Sequence, residues 1–123
     1  MPVFFDRDID AGPLDPATFT GTGRVKRIEA ASKPALLLFR VEFDPGARTH
    51  WHTHSGVQLL LVTEGRGRVQ SWEGPIRELG PGDIVTVVPG EKHWHGATRN
   101  SRFVHIAVNV DSKTTWMEPV QGD

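Results

Sequence analysis

Short groups of turn-forming residues recur about every ten residues through the middle of the chain, and they limit the length of any regular element between them. These groups are Asp44-Pro45-Gly46, Glu64-Gly65, Glu73-Gly74-Pro75, Gly80-Pro81-Gly82-Asp83, Pro89-Gly90 and Arg99-Asn100-Ser101. The segments between them are rich in Val, Ile, Leu, Thr and Phe, which favour strands, and none has sustained helical periodicity. The pattern predicts an all-β sandwich or barrel, with strands near 24–30, 35–43, 48–54, 57–63, 67–72, 76–79, 84–88, 93–98 and 102–110.

The length of 123 residues fits a single domain, which we place at residues 24–123. Residues 1–23 are rich in Pro, Gly and Asp. They are predicted to form an N-terminal arm that is ordered only where it docks on the rest of the molecule. The stretch 115–118 fits either a short closing strand or a turn, and the sequence leaves both open.

Two predicted strands are apolar at every position instead of alternating. They contain residues 36–39 (Leu-Leu-Leu-Phe) and 59–62 (Leu-Leu-Leu-Val). Both faces of such strands need to be covered. One face can line the barrel interior, and the other requires a docked terminal arm or a partner subunit. We therefore predict a homodimer, or a higher homo-oligomer, that packs sheet to sheet.

Composition narrows the range of partners. The chain has 14 basic and 15 acidic residues and a formal net charge of −1, so it lacks the basic surface expected for nucleic acid or anionic lipid. It contains no cysteine, which excludes disulfides and thiolate metal ligands. The opening residues lack a basic, apolar signal pattern, and no apolar run approaches the ~20 residues of a membrane span. We expect a cytoplasmic protein with a small-molecule partner.

Histidines at alternate positions mark one predicted strand as a candidate metal site. The predicted strand at 48–54 points His50, His52 and His54 inward from one face, while Trp51 and Thr53 face the other way. Three buried imidazoles need partners, and a divalent transition metal supplies one at once. Gln58, on the next strand, can bring its side-chain oxygen to the same ion, and His93 opens a later strand. The alternative is a set of hydrogen-bonded core histidines.

Two motifs in this region resemble those of the cupin superfamily. The first family motif, Gly, His-x-His, Glu and Gly in fixed spacing, is matched by Gly46, His52, His54, Gln58 and Gly65. The second is matched by Gly82, Val88, Gly90, His93 and Ala97, with Val88 in place of proline and Ala97 in place of asparagine. The resemblance covers residues 35–110. It implies a cupin double-stranded β-helix, or jelly-roll, barrel with a metal inside one mouth.

The departure at Gln58 has chemical consequences. A glutamate there would neutralise one unit of the metal's charge, whereas three imidazoles and an amide leave the full +2 on a divalent ion. Such an ion is a stronger Lewis acid and binds anions better. Oxygen-activating iron usually has a carboxylate in its ligand set. The glutamine therefore favours proton and anion chemistry over an oxygenase.

A closer resemblance is to the small bacterial cupin hydroxynitrile lyases. It rests on the string Pro89-Gly-Glu-Lys-His-Trp-His-Gly-Ala97, on Trp51-His-Thr-His54, and on Gln58. It implies manganese or another divalent metal held by His52, His54, Gln58 and His93. It also implies a catalytic histidine beside the metal, and the matching position is His105; the alternative role for His105 is that of a hydrogen-bonded core residue.

Two further histidines lie close to the proposed ligands. His50 fits a fifth metal donor, a hydrogen-bond partner of a ligand or a general base. His95 is expected at the pocket rim or hydrogen-bonded to the backbone, with no assigned role. Apolar residues suited to the wall of a small-molecule pocket are Phe39, Val41, Leu60, Trp94 and Val108.

The expected activity is metal-dependent cleavage and formation of cyanohydrins by Lewis-acid and general acid–base chemistry. Two alternatives remain open from the sequence. One is another cupin metalloenzyme, such as a dioxygenase, isomerase, decarboxylase or polyketide cyclase. The other is a non-enzymatic cupin that binds a small ligand. Histidine and amide donors suit Mn, Fe, Co, Ni and Zn alike, with Mn favoured by the resemblance.

Overall fold

The computed structural model describes residues 1–122. In this range the chain forms thirteen strands and a short 3₁₀ helix, Asp6–Asp8. The strands are β1 (Gly12–Pro13), β2 (Phe19–Thr20), β3 (Gly23–Ser32), β4 (Ala35–Phe43), β5 (Arg48–Thr49), β6 (His52–His54), β7 (Gln58–Gly65), β8 (Gly67–Ser71), β9 (Arg77–Leu79), β10 (Ile84–Val87), β11 (His93–Ala97), β12 (Phe103–Val110) and β13 (Thr114–Trp116). The predicted all-β fold is confirmed. Over the same range no helix has the length and apolar character needed to cross a membrane.

Antiparallel pairing arranges the strands in two sheets. One sheet has the order β1-β3-β4-β12-β7-β10. The other has the order β13-β6-β11-β5-β2, with β8 paired to β11 and β9 paired to β8. Apolar side chains from both sheets and their connections pack into one core, formed by Leu14, Val41, Phe43, Ala47, Val62, Leu79, Ala97 and Phe103. The two sheets therefore face each other across a shared interior, as in a jelly-roll barrel.

The core fills one end of the barrel and leaves room at the other. Along β12, Phe103 belongs to the apolar core, whereas His105, Ala107 and Asn109 line a cavity. These alternate positions share the inner face of the strand. The same strand thus contributes to the apolar core at one end and to the cavity lining at the other.

The predicted strand at 48–54 is interrupted, and the interruption changes which side chains face inward. β5 ends at Thr49, and β6 begins at His52. Between them the His50 amide donates to a carbonyl just before β2, and Trp51 exchanges backbone hydrogen bonds with the C-terminal segment. Thr49, not His50, lines the cavity together with His52. The expectation that His50 shares their inward face is wrong, because the backbone changes partners at this point.

The segment before residue 24 takes part in both sheets. β1 pairs with β3, and β2 pairs with β5. Leu14, between them, is 6% exposed and belongs to the core. Ordered strands therefore begin earlier than the sequence predicts. The division into an arm at 1–23 and a barrel domain at 24–123 stays a prediction, and Asp123 lies outside the described residues.

The outer face of the first sheet is apolar, as the unbroken leucine runs require. Leu38 lies opposite Ile28 on one side and Val108 on the other, and Val108 lies opposite Leu59. Part of this face is covered by the N-terminal segment, where Phe4 and Ile9 border a depression above Ile28 and Leu38. The docked arm accounts for part of the cover, and the homodimer stays a prediction.

Two glycines of the family motif adopt left-handed backbone conformations in different surroundings. Gly46 has φ +79°, and a Cβ atom there would meet nothing within 4 Å. Gly65 has φ +75°, and a Cβ atom there would overlap the carbonyl oxygen of Arg102 in the neighbouring strand connection. Gly46 is thus required for its conformation alone, and Gly65 for its conformation and its close packing.

This difference predicts unequal costs for the same substitution. Gly46→Ala is expected to lower the free energy of unfolding by about 1–2 kcal/mol, the cost of a left-handed alanine. Gly65→Ala is expected to cost a further ~1–3 kcal/mol, because the backbone at Arg102 must move to relieve the overlap. Urea unfolding at one pH and temperature measures both, with Gly46→Ala as the matched control. Equal losses would contradict the close-packing argument.

Candidate metal centre

Five of the six histidines form one buried cluster. His52 and His54 come from β6, His93 and His95 from β11, and His105 from β12. Each is between 0% and 4% exposed. The ring centroids lie 4.2 Å apart for His52 and His93, 4.9 Å for His52 and His54, and 4.8 Å for His95 and His105. Antiparallel pairing of β6 with β11 places His52 directly opposite His93.

Hydrogen bonds fix the orientation of the three predicted histidine ligands through their Nδ1 atoms. Backbone carbonyls accept only, so the Nδ1 atoms of two of these rings carry the hydrogen and their Nε2 atoms keep a lone pair. The Nδ1 contacts are those of His52 with the His50 carbonyl (2.8 Å), His93 with the Glu91 carbonyl (2.9 Å) and His54 with the Thr114 hydroxyl (2.9 Å). This arrangement is typical of histidines that bind a metal through Nε2.

Four ring nitrogens of the cluster and the side-chain oxygen of Gln58 are buried without a hydrogen-bond partner. They are His54 Nε2, Gln58 Oε1, His93 Nε2, His95 Nε2 and His105 Nδ1. An unsatisfied buried polar atom costs about 1–3 kcal/mol, so several together are expensive unless something binds them. Lone pairs on imidazole nitrogens and an amide oxygen are ligands for a divalent transition metal. The residues present therefore fit a metal ion.

A group of three histidines with ring nitrogens close enough to share a metal ion includes His95, which had no assigned role in the sequence analysis. One nitrogen from each of His52, His93 and His95 lies within 4.8 Å of the other two, and these three buried histidines could hold a metal ion. The prediction that His95 lies at the pocket rim or bonds to the backbone is wrong: its ring is buried, and its Nδ1 lies 2.9 Å from His105 Nε2. The alternation of His93 and His95 along β11 is the same signal that identifies His52 and His54.

The cluster lies against a cavity of about 180 Å³. Its wall is mostly apolar and includes Phe39 and Val41, as predicted. The other three predicted wall residues are not among the lining residues in the described part of the chain. Leu60 and Trp94 are fully buried, and Val108 is on the outer face of β12. The lining also includes the polar side chains of His52, His54, Gln58, His95 and His105.

His93 occupies a different position from the other predicted ligands. It borders a separate depression beside Glu91 and is outside the cavity lining. Its Nε2 is nevertheless buried and unpaired. The centroid of its ring is 5.2 Å from that of His54. His93 thus closes the cluster on the side away from the cavity.

The C-terminal segment supplies two side chains that the sequence did not identify. β13 pairs with β6 and places Thr114 against His54. Trp116, on the same strand, packs over His52 with ring centroids 4.5 Å apart and an interplanar angle of 37°. Its ring also contacts Phe19 at 5.9 Å, and both residues border the cavity. The open alternative at 115–118 is resolved as a short strand at Thr114–Trp116.

Burial holds these imidazoles in their neutral form. It lowers the pKa of His54 and of His105 to about 4 and the pKa of His52 and His95 well below the ordinary 6.5. Neighbouring imidazoles add to the effect for His52, because two adjacent positive charges repel. At neutral pH the ring nitrogens therefore remain available as lone-pair donors.

The architecture and the histidine cluster define this protein as a β-barrel with a candidate metal site inside one end. The Cupin domain family matches residues 39–109, and the chain belongs to the cupin family. It is 47% identical over 113 residues to a protein of Granulicella tundricola named (R)-mandelonitrile lyase, with 89% of this chain and 85% of that protein covered.

Solved structures agree with the family assignment. A cupin-like protein from Thermotoga maritima superposes with a TM-score of 0.85 and 35% sequence identity, covering 94% of this chain and 92% of that one. The polyketide cyclase RemF from Streptomyces resistomycificus superposes with a TM-score of 0.78 over 100% of this chain and 87% of its own. At 18% identity, that second likeness concerns the fold alone.

The buried neutral histidines predict a loss of stability in acid for the metal-free protein. Between pH 6.5 and about 4 the unfolded chain takes up protons at histidines that stay neutral when folded. The free energy of unfolding therefore falls as the pH decreases through this window. The slope is up to about 1.4 kcal/mol per pH unit for each fully buried histidine such as His105.

Urea unfolding in chelator at pH 7.5, 6.0 and 5.0 measures this slope. His105→Gln removes one titrating group and is expected to make the slope shallower than that of the unaltered protein. A free energy of unfolding that stays constant from pH 7.5 to 5.0 would contradict the burial argument.

Proposed function

We propose that this protein is a metal-dependent hydroxynitrile lyase that cleaves an aromatic cyanohydrin into an aldehyde and hydrogen cyanide, and catalyses the reverse addition. The observation that carries the proposal is a set of buried, unpaired lone-pair donors beside a small apolar cavity. The relative named (R)-mandelonitrile lyase supports this choice among cupin activities.

The proposed metal ligands are His52, His54, Gln58 and His93, with manganese as the preferred divalent ion. The histidines present Nε2 because their Nδ1 atoms are engaged, and Gln58 presents Oε1. When bound, the ion supplies Lewis acidity that lowers the pKa of a coordinated hydroxyl group. His95 also has its Nδ1 engaged, but its partner is the imidazole of His105 and not a carbonyl or hydroxyl group, and we assign it to the proton-handling part of the site.

His105 is the proposed catalytic base and acid, acting with His95. His105 Nε2 and His95 Nδ1 share one hydrogen bond. The tautomer of one ring is therefore coupled to that of the other, and a proton taken up by one ring changes which nitrogen of the other carries a hydrogen. The pair accepts the hydroxyl proton of the cyanohydrin, the carbon–cyanide bond breaks, and cyanide leaves with that proton as hydrogen cyanide. Because burial holds the pKa of His105 near 4, an imidazolium formed there donates readily.

The cavity wall suits the ring of the substrate. Phe39, Val41 and Trp116 line the cavity together with the histidines. An aryl group packs favourably against such aromatic and aliphatic surfaces, which also keep water from the developing cyanide. The volume of about 180 Å³ favours a small substrate over a polymer or a nucleotide.

Two alternatives to the lyase are another cupin metalloenzyme and a non-enzymatic cupin that binds a small ligand. Solved structures with this fold include a polyketide cyclase and a predicted oxalate decarboxylase, each less than 25% identical in sequence. Oxygen uptake with ferrous iron would favour an oxidative activity. Ligand binding without turnover would favour the non-enzymatic alternative.

Release of benzaldehyde from racemic mandelonitrile tests the proposal, with the protein loaded in turn with Mn²⁺, Fe²⁺ and Zn²⁺. At least one loaded form is expected to cleave one enantiomer faster than the other. His52→Ala is expected to abolish this activity because a proposed ligand is lost. His105→Ala is expected to lower kcat by about 100-fold or more, the usual contribution of a positioned acid–base group.

Thr53→Ala provides the matched control, because Thr53 lies between two proposed ligands on β6 but outside the cavity lining. It is expected to retain the activity of the unaltered protein. If no metal form exceeds His52→Ala, the lyase proposal is wrong, whereas the cupin fold is unaffected.

A further inference from the structure

The side-chain amide of Gln58 can be held in two orientations that are not equivalent, whereas the two oxygens of a glutamate at this position would be. The two ends of an amide have opposite hydrogen-bonding character: the oxygen accepts, and the nitrogen only donates. A metal ion can bind the oxygen and is repelled by the NH₂ group. The proposed site therefore needs the Gln58 amide held in one of its two orientations.

Asn109 is the direct neighbour of the Gln58 amide. Gln58 Nε2 donates to Asn109 Oδ1 at 3.0 Å. Gln58 Oε1 is left buried and without a hydrogen-bond partner. Both residues are at most 5% exposed, so water does not compete freely for this contact. The orientation of Gln58 thus depends on which end Asn109 presents to it.

The orientation of Asn109 is set in turn by the backbone of β4. Asn109 Nδ2 donates to the Leu37 carbonyl at 3.4 Å. Gln58, Asn109 and Leu37 are direct cross-strand neighbours on β7, β12 and β4. A backbone carbonyl accepts only, so it requires the NH₂ group of Asn109 to face it. The Oδ1 atom of Asn109 then faces Gln58.

We propose that Asn109 is a positioning residue for the metal site: the Leu37 carbonyl orients the Asn109 amide, which orients Gln58 so that its oxygen faces the proposed ligands. This inference rests on the proposed metal site. The reversed arrangement would bring Asn109 Oδ1 against the Leu37 carbonyl oxygen and turn the Gln58 NH₂ group toward the metal. Each mismatch in a buried site costs about 1–3 kcal/mol.

The proposal makes Asn109 necessary because residue 58 is a glutamine. A carboxylate has an oxygen at both ends, so either orientation of a glutamate would present a ligand. Asn109 should therefore matter for metal affinity in the unaltered protein and much less in a Gln58→Glu background. A role in packing alone would be the same in both backgrounds.

The test measures Mn²⁺ affinity by competition with a chelator, for Asn109→Leu and Asn109→Asp in each background. In the unaltered background Asn109→Leu is expected to weaken Mn²⁺ binding by about 10–100-fold, the usual effect of removing a group that orients a ligand. Asn109→Asp is expected to retain the affinity, because its oxygens still accept from Gln58 Nε2. In the Gln58→Glu background Asn109→Leu is expected to leave the affinity nearly unchanged.

Equal losses in the two backgrounds would overturn the proposal, as would an Asn109→Asp variant that binds as weakly as Asn109→Leu. Urea unfolding of each metal-free variant checks the fold, and Asn109→Ser replaces Asn109→Leu if the latter does not fold. Failure of the unaltered protein to bind Mn²⁺ would refute the proposed metal site and this inference with it. Asn109-dependent binding without cleavage of mandelonitrile would refute the lyase proposal and leave the inference standing.

Discussion

The unpaired lone pairs of the buried histidine cluster are the constraint on which the rest of the site depends. Removing imidazoles from water without giving each nitrogen a partner is unfavourable. Here carbonyls at His50 and Glu91 satisfy one nitrogen of His52 and of His93, and in doing so they point the other nitrogen inward. The cost that remains is the one a divalent cation removes, so the same hydrogen bonds that orient these rings prepare the site for metal.

The barrel accommodates this cluster by changing strand partners close to it. The interruption between β5 and β6 frees the His50 carbonyl to accept from the His52 ring, while β13 brings Thr114 to the ring of His54. Trp116 from the same short strand then packs over His52. The C-terminal segment is thus part of the site, and its residues Thr114 and Trp116 line the cavity.

The charge of the site follows from its neutral donors. Burial keeps the imidazoles uncharged at neutral pH. Gln58 adds an amide where the family motif has a carboxylate, so a bound divalent ion would keep its charge. The two ends of an amide also differ, since one accepts and the other donates. The contact between Gln58 and Asn109 therefore matters more than it would if residue 58 were a glutamate.

The sequence by itself determined the all-β fold, the strand at Ala35–Phe43 and the alternation of His52 and His54, because these depend on local turn chemistry and on the period of a strand. The alternation of His95 with His93 is equally visible in the sequence, but the contact of His95 with His105 depends on the packing of β11 against β12. Only the tertiary structure decided the break at 50–51, the packing of Trp116 and the contact of Asn109 with Gln58. These depend on pairing between strands far apart in the chain, which no local period encodes.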